Sequence, residues 1–111
     1  APQLAELDAN GNTLNVYTYT QLGANSGTPV FDKAGDIWVG SFTNGALLQI
    51  DPANGTVRNA YSFPPNIIGL TVDSLGRLVA GILHGPASEL ELWIGTPSGA
   101  TLIIGWIDGT R

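Results

Sequence analysis

The 111-residue chain contains no cysteine and no methionine, a single histidine, and only four lysines and arginines. Without cysteine there is neither a disulfide framework nor a thiolate metal site, so stability rests on packing and backbone hydrogen bonds. The lone histidine, His84, excludes a two-histidine metal site and a histidine pair for acid–base work within one chain. Long apolar runs are missing as well, and no stretch approaches the roughly 18 residues that a membrane-spanning helix requires. Charged residues make up 12% of the chain and sum to -5, the wrong sign for neutralising phosphates or an anionic lipid surface. Neither nucleic acid nor a membrane is therefore expected as a partner. No Gly-x-Ser-x-Gly elbow, phosphate-cradling loop or dinucleotide fingerprint occurs, which disfavours covalent hydrolase chemistry.

What the chain does contain is 43% hydrophobic residues, with 15 glycines and 7 prolines spread along its length, a composition of short strands and many turns. The length suits one domain, residues 1–111, large enough to bury a core. Alternating apolar residues mark the strands: Leu14 and Val16, Ile37 and Val39, Leu48 and Ile50, Leu70 and Val72, then Leu90, Leu92 and Ile94, and Leu102, Ile104 and Trp106. Trp38, Phe42, Leu83, Trp93 and Ile107 fall on the opposite faces, which predicts sheets covered on both sides. No segment sustains helical spacing without glycine or proline.

Self-comparison reveals a period. Leu4–Gly11 is echoed by Leu47–Gly55 and more faintly by Leu90–Gly99, with Gly11, Gly55 and Gly99 each 44 residues apart. Val30–Gly40 matches Val72–Gly81, with Asp32 and Asp73, Gly35 and Gly76, and Gly40 and Gly81 each 41 residues apart. A repeat of this length fits four short strands and their turns. Asp-x-x-Gly and Asn-Gly turns punctuate it, so Asp8, Asp32, Asp51 and Asp73 are read chiefly as turn formers that bond the local backbone.

Three segments carry a family likeness: Asp32-Lys33-Ala34-Gly35-Asp36-Ile37-Trp38-Val39-Gly40, Ala46–Val57, and Pro65-Asn66-Ile67-Ile68-Gly69-Leu70-Thr71-Val72-Asp73. Together they resemble the NHL-type β-propeller repeat and, more loosely, the gluconolactonase or senescence-marker-protein family. The resemblance implies an all-β fold of propeller blades, each a four-stranded antiparallel sheet with strands A to D from the centre outward. The chain then reads CD, ABCD, ABCD, with a half-blade over 1–19 and blades over 28–63 and 67–107. Two and a half blades leave a ring open, so a homodimer, a complementary chain or a missing segment of a longer polypeptide is expected to complete it.

In such a fold the D-to-A and B-to-C loops form the ligand face. They are 20–27, 43–45, 63–67 and 84–88, and they bring Gln21, Asn25, Ser26, Asn44, Asn66 and His84, with Glu89 beside them. The expected ligand-binding residues are Asn25, Asn44, Asn66, His84 and Glu89. His84, at a strand end, is read chiefly as a loop histidine and as the one weak catalytic candidate. Asn66 is the one position matching the calcium-site pattern implied by the gluconolactonase resemblance, although Ile67-Ile68 separate it from Gly69. The aromatic residues Trp38, Trp93, Trp106, Tyr17, Tyr19 and Tyr61 are read first as packing between blades and second as sugar-stacking surfaces. The leading functional reading is a binding module for a carbohydrate or protein ligand on the loop face, with a small molecule as a further ligand class. A metal-dependent lactonase or esterase is the alternative, and a structural unit of an extracellular assembly a third. The beginning Ala1-Pro2-Gln3 suits signal-peptide removal and a secreted protein, and equally a trimmed methionine or a chosen boundary.

Overall fold

The computed structural model describes residues 2–63, 65–84, 89–95 and 103–107, of which His84, 89–95 and 103–107 are described for the backbone alone. The described chain is all-β. Its ten strands are β1 (Gln3–Leu7), β2 (Thr13–Thr18), β3 (Val30–Phe31), β4 (Ile37–Gly40), β5 (Ala46–Ile50), β6 (Val57–Ser62), β7 (Ile67–Val72), β8 (Leu78–His84), β9 (Glu89–Gly95) and β10 (Ile103–Ile107). A single 3₁₀ turn, Thr20–Leu22, interrupts the connection from β2 to β3. They form three antiparallel sheets, β1-β2, β3-β4-β5-β6 and β7-β8-β9-β10, each running in chain order. None of the three closes on itself.

The turns are built by one device used repeatedly. The Asp32 amide donates to the Asp36 carbonyl at 2.9 Å, the Gly35 amide returns to the Asp32 carbonyl at 3.1 Å, and the Asp36 amide donates to Asp32 Oδ1 at 3.0 Å. Asp73 makes the same three bonds with Gly76 and Arg77, and Asp8 with Gly11 and Asn12. Glycine closes this turn because the position is left-handed, with φ of 94° at Gly35 and 80° at Gly76. The Asp51 turn is one residue longer, and its backbone bonds stretch accordingly to Thr56 and Gly55.

The repeat extends to ladder detail. Leu4 pairs with Tyr17 as Leu47 pairs with Tyr61, Glu6 pairs with Asn15 as Gln49 pairs with Asn59, and a bulge follows at the same step in both hairpins. Asn15 Nδ2 donates to Glu6 Oε1 at 2.7 Å, and Asn59 Nδ2 to Gln49 Oε1 at 2.8 Å. Thus β1-β2 is the structural counterpart of β5-β6.

The middle sheet has a core on each face. Toward the first sheet, Val39, Leu48 and Ile50 pack with Tyr19 and Leu22, supported by Leu4, Tyr17 and Ile37. Toward the third, Trp38 and Leu47 pack with Ile67, Leu78 and Ile82. Burying each such aliphatic side chain contributes about 1.5–3 kcal/mol, so these two layers are the main cohesion between sheets. Close approach on the second side depends on Gly40, where a Cβ would lie 2.7 Å from Ile67 Cγ2. The Trp38 ring stacks on Tyr61 at 5.9 Å between centroids, and its Nε1–H donates to the buried Asp32 Oδ2 at 2.8 Å.

Candidate functional site

The loops 19–29 and 41–45 and the residues Phe63, Pro65 and Asn66 meet at one end of the sheets through backbone and hydroxyl hydrogen bonds. Ser41, fully buried, organises them: its hydroxyl donates to the Leu22 carbonyl at 2.7 Å and accepts from the amides of Thr43 and Asn44. Phe42 then ties two loops together. Its amide donates to the Asn25 carbonyl at 3.0 Å, and its carbonyl accepts from the Asn66 amide at 2.9 Å. Asn66 in turn accepts the Leu83 amide at 3.1 Å, which brings the end of β8 to the same place.

Of the expected ligand residues, Asn25, Asn44 and Asn66 are therefore gathered at this end. Asn25 and Asn44 are exposed and Asn66 is half-buried. Asn44 spends its side chain locally, donating to the Gln21 carbonyl at 2.9 Å and accepting from the Ala46 amide at 3.1 Å. The side chains of Asn25 and Gln21 make no hydrogen bond among the described residues, which leaves both amides open to solvent or ligand. Asn66 is the only described non-glycine residue with positive φ, at 74°, a conformation asparagine tolerates. Its side-chain amide points at the Leu83 carbonyl.

His84 and Glu89 stand directly opposite each other on β8 and β9. Their side chains, and the loop 85–88 between them, lie outside the described residues. The same holds for the side chains of Trp93, Trp106 and Ile107.

Phe42 is the residue that strand alternation misjudged. It continues the pattern of β4, which predicts packing between sheets, but the chain turns after Gly40 and leaves the residue 45% exposed. An apolar residue two positions after a glycine and immediately before Thr43-Asn44-Gly45 is the sequence signal for such a tip.

As a cation site this end is poorly furnished. Among the described residues no three His, Cys, Asp or Glu side chains come together, and Asn66 directs its amide nitrogen at the Leu83 carbonyl. Among the described residues, those around Asn66 do not supply the oxygen-rich ligand set that calcium needs. The turn carboxylates are engaged elsewhere, with Asp36 and Asp51 bridged by Arg58 at 3.1 and 3.2 Å and Asp73 held by Arg77 at 2.7 Å.

A second concavity, of about 460 Å³, runs between β1 and the middle sheet. Its walls are largely apolar, with Leu4, Leu7, Tyr17, Pro29, Phe31 and Ile37 among them.

Compared with models of known families, with curated proteins and with solved structures, the chain finds no match.

Proposed function

We propose that the chain is a non-enzymatic binding module that recognises carbohydrate at its amide-rich loop end. The observation that carries this reading is the exposed Phe42, whose backbone joins the Asn25 and Asn66 loops. An aromatic face flanked by amides offers the apolar stacking surface and the paired donors and acceptors that a sugar ring requires. Rigidity supports it too, since Ser41 and the Phe42 backbone fix the loops before any ligand arrives.

In this reading the three sheets are successive propeller-type blades, the first represented by its two outer strands, and a further chain or segment completes the array. Support comes from the shared bulge and side-chain bonds of β1-β2 and β5-β6 and from face-to-face packing of the sheets. A glycan array followed by titration tests the ligand. The expected result is saturable binding of a saccharide, weakened about five- to tenfold by Phe42→Ala and retained by Phe42→Tyr. Binding that ignores Phe42→Ala, or no saccharide bound, rejects the assignment.

A further inference from the structure

The geometry points to the groove between β1 and the middle sheet as a strand-addition site for a polypeptide segment bearing tryptophan between aliphatic residues. This inference rests on the reading of the first sheet as an incomplete blade and is independent of the loop-end ligand.

The groove is the counterpart of a place that is filled elsewhere in the molecule. Because β1-β2 superposes in register on β5-β6, the outer edge of β1 corresponds to the edge of β5 that pairs with β4. Among the described residues nothing pairs there, and β1 has β2 as its one partner. On β4, Trp38 lies opposite Gln49, and its ring drops onto Tyr61. The corresponding residues of the first sheet are Glu6 and Tyr17, and both line the groove.

The opposite wall tells the same story. Leu70 and Val72 of the third sheet are half-buried against the Trp38 layer. Their counterparts 41 residues earlier are Pro29 and Phe31, which also line the groove, and Phe31 is 66% exposed. Leu7, at the end of β1, is 55% exposed on the same groove. An apolar cleft bordered by a free strand edge is the arrangement in which an extended segment gains both ladder hydrogen bonds and side-chain pockets. The chemistry of the occupant follows from what fills the equivalent place: the sequence of Ile37-Trp38-Val39-Gly40, with tryptophan pointing into the groove opposite Glu6.

A synthetic peptide covering residues 28–41, fluorescently labelled and titrated into the full chain, tests the assignment by anisotropy. Saturable one-to-one binding is expected. Replacing the peptide's tryptophan with alanine, or introducing Phe31→Glu or Leu7→Glu into the protein, is expected to weaken it by about tenfold or more, the scale of losing an interface anchor. Both protein positions are exposed, so the variants retain the fold, and Leu14→Glu, outside the groove, leaves the affinity unchanged. Absence of saturable binding, or binding indifferent to the groove variants, overturns the proposal. Light scattering on the peptide-free chain separates the remaining outcome. Self-association abolished by Phe31→Glu assigns the groove to a second copy and also overturns it. Self-association that survives the groove variants while the peptide fails to bind preserves the incomplete-blade reading and rejects only this site.

Discussion

Asp32 has 6% of its surface exposed, and its carboxylate serves two donors, the Asp36 amide and the Trp38 indole. The first bond belongs to the turn, the second reaches across to the core between sheets. Asp32→Ala leaves a buried indole N–H without its acceptor and is expected to cost about 1–3 kcal/mol. Urea unfolding checks this as a lower midpoint at an unchanged denaturant slope. Adding Trp38→Phe removes the orphaned donor, so the pair costs less than the sum of the single changes. The Asp-x-x-Gly turn was legible in the sequence at Asp32 and Asp73 alike. The different second partners, Trp38 for one and Arg77 for the other, were not. Local spacing determines which backbone groups an aspartate can reach, whereas its remaining oxygen is claimed by whatever the fold brings near.

The hairpins carry the acid response of the protein. Backbone amides of Asn12 and Asn10 hold the Asp8 carboxyl below its ordinary 3.8, and the Arg77 amide does the same for Asp73. A carboxyl whose folded value is depressed contributes stability above its unfolded value and loses it as pH falls through the folded one. Stability is therefore expected to decline below about pH 3.8, and Asp8→Asn to flatten that decline, read from thermal midpoints across an acid series. Tyr19 governs the other limb. Burial pushes its phenol above 10.0, and its hydroxyl donates to the Gly55 carbonyl at 2.8 Å. Its contribution is present below pH 10 and lost as pH rises through the raised value, and Tyr19→Phe removes this alkaline loss. Strand positions were largely legible from alternation. Phe42 was not, because a pattern of two continues on paper past the residue where the chain leaves the sheet.

For the molecule as a whole, the outer face of the first sheet matters most. Leu14 and Val16, on the side of β2 opposite Tyr17, are 56% and 51% exposed. Their counterparts in the middle sheet, Arg58 and Ala60, are a charged and a small residue that stay exposed beside the Leu48 and Ile50 layer covered by the first sheet. An apolar sheet face of this kind is a site of association. In dilute solution the chain is expected to have a mass above the 11.6 kDa of one copy, and Leu14→Glu with Val16→Glu to return it to that value, as measured by light scattering. A wild-type chain that folds cooperatively at the single-copy mass contradicts this.

The sequence by itself determined the strand-and-turn grammar: the repeat of 41 to 44 residues, the aspartate–glycine turns, and the all-β class. These follow from interactions within a few residues or from a period of two, which a linear pattern records directly. The tertiary structure alone decided that the place beside β1 matching the Trp38 site stays a groove. It also decided that Asn25, Phe42 and Asn66 meet at one end. Such meetings join residues 17 to 41 positions apart, and their geometry depends on how sheets stack, a property that no short stretch of sequence carries.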